Sequence, residues 1–164
     1  MIIKENIKIE DFNIYGFDSV YSVYKSNEDF LSLGPESHAS REMILSDIEY
    51  SERNGGCYCT ICCDNKVIGI IDFIPDMYEK QRGTAYINLI MVKKEYRNKN
   101  IGKKVIRIIE EWLNKEHKIT SVFISVQENN TKGIEFWFSL GYEIISEPEL
   151  QHDTTIVLHM RKYI

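Results

Sequence analysis

The chain has 164 residues, of which 43% are hydrophobic and 27% are charged, and its formal net charge is −5 at pH 7. This length and composition predict one folded domain spanning residues 1–164, and the acidic balance excludes a nucleic-acid binder, which needs a basic face to displace counterions from phosphates. No apolar run approaches 18 residues and the first twelve residues carry charges, so we expect a cytoplasmic protein without a membrane span or an export signal.

The predicted elements begin with a strand near Ile2 to Ile9. A helix follows, for which Asp11 can act as the N-cap, because apolar residues recur from Phe12 to Tyr24 at close to helical spacing. The stretch "SLGPES" ends that helix. A second helix is predicted over 37–53 and ends at Gly55 and Gly56.

The middle of the chain changes to short β-rich runs. Three runs, 57–63, 66–74 and 84–92, are separated by polar turns and predict an antiparallel meander. An amphipathic helix follows from Ile101 to Leu113, in which apolar residues occupy one face and lysines and glutamates the other.

The last third predicts a strand over 119–126, a helix over 131–140 that Gly141 can cap, and two final strands over 142–147 and 154–161. The complete order is β-α-α-β-β-β-α-β-α-β-β. The strand-helix-strand unit over 84–126 requires a right-handed crossover and parallel pairing. We therefore expect an α/β (α+β) fold with a mixed, mostly antiparallel seven-stranded sheet flanked by about four helices.

All four cysteines lie in "CYCTICCDN". On a strand Cys57, Cys59 and Cys63 point to one face and Cys62 to the other, so four thiolates cannot converge tetrahedrally on a metal ion. We interpret them as reduced, apolar side chains of a buried strand. The four histidines form no close-spaced pair, and we predict no metal site.

Basic residues concentrate at the start of the Ile101 helix. Six of them occur within residues 93–104, namely Lys93, Lys94, Arg97, Lys99, Lys103 and Lys104. The first N–H groups of a helix lack internal partners and carry partial positive charge, and Gly102 has no Cβ to obstruct a close approach. The segment therefore predicts an anion site of the kind that binds a pyrophosphate. A solvated basic loop before an amphipathic helix is the alternative.

Two segments carry a family resemblance. "VKKEYRNKNIGKKVI" resembles the acyl-CoA-binding loop of the GNAT acetyltransferase superfamily, and "NNTKGIEFWFSLGY" resembles the later segment of that family, an Asn followed by a helix with an aromatic residue and a final Gly-Tyr. The resemblance implies the GNAT fold and acetyl-CoA as co-substrate. It also implies direct transfer of an acetyl group, through a tetrahedral intermediate, to a primary amine of a small molecule or peptide.

The resemblance assigns cofactor contacts to three regions. The backbone of the β-run that ends at 92 faces the pantetheine arm, and an N–H near Met91 or Val92 faces the thioester oxygen. The basic loop faces the phosphates, and the later segment contacts the cofactor arm. The residues are Ile90, Met91, Val92, Arg97, Asn98, Lys99, Asn100, Ile101, Gly102, Lys103, Asn130 and Trp137.

The chain departs from the family pattern at three of these positions. Asn98 and Asn100 stand where glycines are typical, and asparagine is the next best residue for a left-handed backbone. Trp137 stands where a tyrosine often protonates the leaving thiolate; an indole N–H donates a hydrogen bond without releasing its proton, and Tyr142 is a possible substitute. Asn130 matches the asparagine of the family pattern, and a helix N-cap is an equally compatible role for it.

A base is needed because an alkylammonium with a pKa of about 10 has no lone pair for attack at neutral pH. Asn88 stands where many relatives carry a glutamate. An amide cannot take a proton, but it can hold a water that passes one to Asp72, Glu128 or His152, of which Asp72 and Glu128 are the better candidates.

Two functions remain open at this point. The first is an acetyltransferase acting on a small amine, a polyamine, an aminoglycoside-like compound or a peptide N-terminus. The acidic residues of "NEDFLSLGPES" and "EPELQHDT" favour a cationic acceptor. The second is a catalytically weak acyl-CoA-binding sensor or interaction module. We expect a monomer or homodimer with no nucleic-acid or membrane partner.

Overall fold

The computed structural model describes residues 1–4 and 6–164. Within these residues the chain forms one nine-stranded sheet with the strand order β1-β2-β3-β4-β5-β6-β9-β7, in which β8 also pairs with β9. The strands are β1 (Ile2–Lys4), β2 (Ile7–Asp11), β3 (Cys57–Cys63), β4 (Lys66–Ile74), β5 (Thr84–Val92), β6 (Ser121–Gln127), β7 (Glu143–Ile144), β8 (Glu149–Leu150) and β9 (Ile156–Tyr163).

The predicted sheet type is confirmed, because β5 and β6 pair in parallel and all the other neighbours pair antiparallel. The strand count of seven was too low. The first predicted strand is a hairpin of β1 and β2, and the final pair is three strands, because β7 and β8 pair with different parts of β9. Between β7 and β8 stands Pro148, which cannot donate to a ladder.

The helices are α1 (Phe17–Ser26), α2 (Glu28–Leu31), α3 (Arg41–Arg53), α4 (Ile101–His117) and α5 (Thr131–Phe138). Asp11 does not cap α1, because it belongs to β2 and pairs with Cys59. The chain turns instead at Asn13, which accepts a hydrogen bond from the N–H of Tyr15 and begins a 3₁₀ turn ahead of α1. The helix predicted over 37–53 begins at Arg41, because the Ser40 hydroxyl caps it by accepting from the Met43 N–H at 3.0 Å.

Two apolar clusters cover the two faces of the sheet. The larger cluster packs α4 and α5 on one face and includes Ile106, Ile109, Leu113 and Trp137. The smaller cluster packs α1 and α3 on the other face, through residues such as Val20 and Ile44. Neighbouring strand residues such as Ile70 and Ile71 divide between the two clusters, as alternation along a strand requires.

The four cysteines are free thiols on β3. Cys59 and Cys62 are buried, Cys57 and Cys63 are half-buried, and burial raises the pKa of the Cys59 thiol. They therefore behave as small apolar side chains. Across residues 1–4 and 6–164 no helix combines the length and the apolarity that a membrane span needs.

Candidate active site

The central feature of the sheet is an opening between its two parallel strands. β5 and β6 pair from Thr84 with Ser121 to Ile87 with Ile124, and this pairing then stops. β5 continues to Val92 while still paired to β4 on its other side. We name this opening the fork. Its floor is the end of the parallel pairing, and its β5 wall is an unpaired strand edge.

The hydrogen bonds to β4 fix which backbone groups line the fork. The N–H of Lys93 donates to the carbonyl of Ile68 at 2.8 Å, one step beyond the paired register. Groups of an antiparallel strand alternate between its two sides, so Met91 also bonds to β4, whereas the N–H groups of Ile90 and Val92 face the fork. The sequence predicted that the N–H of Met91 or Val92 faces the thioester oxygen. Of these two groups, the N–H of Val92 points into the fork.

Residues 93–100, which include a 3₁₀ turn at Lys94–Tyr96, join this strand to the N-terminus of α4. Asn98 and Asn100 adopt left-handed backbone angles, with φ of 59° and 58°, so asparagine replaces glycine here without a change of backbone region. Gly102 has a second role that the sequence did not reveal, because a Cβ there would lie 3.2 Å from the Phe136 ring of α5. The glycine therefore lets α5 pack against the first turn of α4.

Arg97 has protein partners. Its guanidinium donates to both carboxylate oxygens of Asp29, at 2.7 and 3.1 Å, and also to the amide oxygen of Asn27. Its Nε donates to the carbonyl of Val92 at 3.3 Å. We name these four residues the Arg97 cluster. The cluster joins the connection after α1 to the end of β5, and Asp29 neutralises the charge that the sequence assigned to phosphate binding.

Asn88 and Asp72 lie together at the floor of the fork. Asp72 pairs with Leu89 and Phe73 with Ile87, so Asn88 is the extra residue of a β-bulge. The Asn88 amide donates to Asp72 Oδ2 at 2.9 Å, and the Ser51 hydroxyl donates to Oδ1 at 2.5 Å. Asp72 is 3% exposed, and this burial raises the pKa of its carboxyl group although both hydrogen bonds oppose the shift.

A cavity of about 250 Å³ reaches Ile74 and Tyr86, which lie two residues from Asp72 and Asn88 along β4 and β5. Its lining residues come from α3, β4, the connection between β4 and β5, β5, β6, the connection between β8 and β9, and β9. They are Tyr50, Ile74, Tyr78, Tyr86, Ser125, Gln151, Val157 and His159. Tyr86 and Ser125 flank the last parallel pair of the fork, one residue before Ile87 and one after Ile124. The sequence reasoning did not select any of these residues. The predicted parallel pairing of 84–92 with 119–126 was the signal that could have brought Tyr86 and Ser125 together.

A sequence model described as "Acetyltransferase (GNAT) family" matches residues 19–142. The chain belongs to the GNAT family. It is 32% identical over 83 residues to "Probable N-acetyltransferase san" of Drosophila melanogaster, which covers 51% of this chain and 45% of that protein. It is 22% identical over 79 residues to a probable spermine N(1)-acetyltransferase of Bacillus subtilis subsp. natto, covering 48% of this chain and 52% of that protein.

The chain thus spans about half the length of the curated relatives it matches. Over nearly its whole length it is similar in fold to the crystal structure of spermidine N-acetyltransferase from Vibrio cholerae in complex with CoA and spermine. That likeness has a TM-score of 0.75 at 11% identity and covers 98% of this chain and 96% of the other. The fold expected from the resemblance is therefore confirmed.

Two further residues of the GNAT motifs, Asn130 and Trp137, have structural roles in α5. Asn130 caps α5, because its side-chain oxygen accepts from the Gly133 N–H at 2.9 Å. Trp137 is 7% exposed in the larger apolar cluster, in edge contact with the rings of Phe136 and Tyr142. The Trp137 ring therefore packs in the apolar core.

The other two proton acceptors considered from the sequence lie at the surface. Glu128 is exposed at the end of β6, where its N–H donates to the carbonyl of Ile156. His152 is exposed in the turn between β8 and β9. Asp72 is the sequence-predicted acceptor that the structure brings into contact with Asn88.

We expect the Arg97 cluster to stabilise the fold in a pH-dependent way. Hydrogen bonding from Arg97 lowers the pKa of Asp29 from 3.8 to about 2. A depressed carboxyl pKa adds stability that is complete above the unfolded value near 3.8 and is lost as the pH falls towards 2. We expect Asp29→Asn to lower the free energy of unfolding at pH 7 by about 1 kcal/mol, a figure reduced for the exposure of the side chain.

Urea denaturation between pH 2 and pH 7 measures this effect. The difference between the wild-type protein and Asp29→Asn should shrink to near zero at the acid end. Asp18→Asn is the matched control, because Asp18 also faces an arginine, Arg41, but is 92% exposed. An equal, pH-independent loss in both variants would contradict the assigned cause.

Proposed function

We propose that the chain is an N-acetyltransferase that moves an acetyl group from acetyl-CoA to a primary amine. The observation that carries the proposal is the fork, a strand edge with inward-facing N–H groups on β5, the strand that precedes α4 in the chain. An extended amide-bearing arm can pair with such an edge, and a pyrophosphate can meet the helix N-terminus beyond it. Membership of the GNAT family supports the same assignment.

The residues around the fork fit acetyl-CoA. The N–H group of Ile90 would pair with the pantetheine arm, and the first-turn amides of α4 would hold the phosphates. Gly102 leaves the approach open, and Lys99 and Lys103 supply positive charge there. When bound, acetyl-CoA supplies an acetyl group activated as a thioester. The N–H of Val92 would donate to the oxygen on which negative charge develops, a contribution of roughly 3 to 4 kcal/mol in well-studied sites.

Asn88 and Asp72 form the proposed polar pair at the reaction centre. Asp72 fixes the Asn88 amide through a 2.9 Å hydrogen bond, and the raised pKa of Asp72 makes it a stronger proton acceptor than an ordinary carboxylate. Together with Glu128 it stays among the acceptors proposed from the sequence. Trp137 stays a proposed donor to the leaving sulfur. A thiolate with a conjugate-acid pKa near 8 to 9 departs without a strong general acid.

The acceptor is proposed to be cationic. Three elements that border the cavity carry carboxylates, Asp72 on β4, Asp47 on α3 and Glu149 on β8, and Glu149 contacts His159 of the cavity lining. Burial raises the pKa of Asp47 as well, and a bound ammonium would offset that burial. Acidic groups in a partly desolvated pocket favour a cation over a neutral competitor. Polyamines are a suitable first class to test, because two of the similar proteins carry spermine in their names.

Release of CoA thiol tests the proposal. The protein is incubated with acetyl-CoA and a panel of spermine, spermidine, amino acids, aminoglycosides and short peptides with free N-termini, and free thiol is followed with a chromogenic reagent. Amine-dependent release with a matching acetylated product by mass spectrometry is expected. Thermal stabilisation by acetyl-CoA without release for any amine would support the acyl-CoA-binding module instead.

A further inference from the structure

A chain of hydrogen-bonding groups crosses the cavity beside the fork. The Ser125 hydroxyl lies 2.8 Å from His159 Nδ1, and His159 Nε2 lies 2.8 Å from Glu149 Oε2. Tyr86 lines the same cavity as Ser125, whose interaction lowers the pKa of Tyr86 against the larger effect of burial that raises it. These groups come from β5, β6, β8 and β9. The first of them, Tyr86 and Ser125, lie next to the last parallel pair of β5 and β6.

The partners of His159 determine where its proton lies. An ionised carboxylate only accepts hydrogen bonds, so Nε2 carries the proton and donates it to Glu149. In the neutral ring Nδ1 is then an acceptor, and the Ser125 hydroxyl donates to it. This tautomer presents a basic nitrogen to a hydroxyl at the floor of the fork.

We propose that the acceptor amine enters this cavity as an ammonium ion and loses its proton to His159 through Ser125. One N–H bond of the ammonium breaks as Ser125 Oγ gains that proton, and the original hydroxyl proton forms a new bond to His159 Nδ1. The nitrogen keeps the electron pair and becomes a nucleophile, and Glu149 faces the resulting imidazolium. The inference rests on the proposed acetyltransferase function and names the base for it.

His159 is better placed for this step than Asp72. Both oxygens of Asp72 already accept hydrogen bonds, from Ser51 and Asn88, whereas Nδ1 of His159 is reached directly from a cavity hydroxyl. The Asn88 amide cannot pass a proton on. On this route Asp72 is a positioning residue that holds Asn88 at the bulge.

The other ionisable groups around His159 preserve this arrangement. Tyr78 and Tyr86 have pKa values raised by burial, so both stay neutral at physiological pH, and Tyr50 of α3 completes the aromatic wall. The guanidinium of Arg161, two residues along β9, lies over the rings of Phe123 and Tyr163. Glu149 is therefore the anion that directly contacts the imidazole.

The test is the pH profile of kcat/KM for the best amine of the panel, from pH 5.5 to 9.5. His159→Gln retains a hydrogen-bonding side chain but cannot take a proton, and we expect roughly a hundredfold loss at pH 7 with an unchanged Kd for acetyl-CoA. Its rate should then follow the fraction of free amine and rise about tenfold per pH unit towards the amine pKa of about 10. Ser125→Ala should show the same profile.

The controls separate this inference from its alternatives. His152→Gln replaces an exposed histidine of the same terminal segment and should leave the profile unchanged. Asp72→Asn should lower the rate but keep the wild-type shape. The inference would be overturned if kcat/KM of His159→Gln and Ser125→Ala depended on pH as in the wild-type protein. It would also be overturned if Asp72→Asn lost the wild-type pH dependence at the acid end of the range. Either result would leave the acetyltransferase proposal intact. Absence of thiol release from the wild-type protein with every amine would instead overturn the proposed function.

Discussion

Replacing Val92 with proline is expected to lower kcat by about 10² to 10³-fold, the loss found when one oxyanion donor is removed from an acyl-transfer site. Proline has no N–H, and in Val92 that N–H faces the fork and takes no part in the ladder with β4. The carbonyl of Val92 stays available to Arg97. Steady-state kinetics, together with acetyl-CoA binding by calorimetry, measures the effect.

Met91→Pro is the matched control. The N–H of Met91 faces β4, so proline there breaks a sheet hydrogen bond, and we expect a lower melting temperature or failure to fold. Val92→Pro should melt close to the wild-type protein. A Val92→Pro enzyme with wild-type kcat would assign the developing charge to another donor. Equal destabilisation of both variants would refute the alternation of backbone directions along β5.

Gly102→Glu is expected to weaken acetyl-CoA binding by about a hundredfold or more. A carboxylate in the first turn of α4 would stand against the phosphates, and like charges 4 Å apart near a protein surface repel by about 4 kcal/mol. Part of that repulsion is relieved because the side chain can turn towards solvent. Isothermal titration at low and high salt gives the affinity, and added salt should recover part of the loss.

Two further substitutions at the same position separate charge from size. Gly102→Gln has the bulk of glutamate without its charge, and Gly102→Ala adds only the Cβ that would lie 3.2 Å from the Phe136 ring. We expect alanine to cost a few-fold in affinity, glutamine more, and glutamate the most, with salt dependence confined to glutamate. Equal affinities for the glutamate and glutamine variants would place the phosphates away from this turn.

Much of the fold could be predicted because local patterns determine it. The α4 helix has a continuous apolar stripe, and the parallel pairing of β5 with β6 follows from the crossover that α4 requires. The errors fall where tertiary pairing overrides local signals. Asp11 looks like a helix cap in sequence, yet a sheet partner, Cys59, draws it into β2.

The site was less predictable, because a sequence shows charges but not their partners. Arg97 is predicted to bind phosphate, and nothing in the sequence indicates that Asp29, 68 residues earlier in the chain, accepts hydrogen bonds from it. Ser125 and His159 are 34 residues apart and meet only through the pairing of β6 with β9. The left-handed turn at Asn98 and Asn100 was predictable, because asparagine reaches that backbone region at low cost.

The Arg97 cluster has a consequence for how substrate preference can diverge among descendants of this chain. The segment after α1 belongs to an acidic stretch from which we predict a cationic acceptor, and Asn27 and Asp29 within it also bind Arg97, which contacts the carbonyl of Val92. Substitutions in that segment are therefore constrained at Asn27 and Asp29, because replacing either residue would disturb the backbone at Val92. New acceptor preferences should arise more readily at Phe30 to Gly34 or in the terminal strands, where a change leaves the Arg97 cluster untouched.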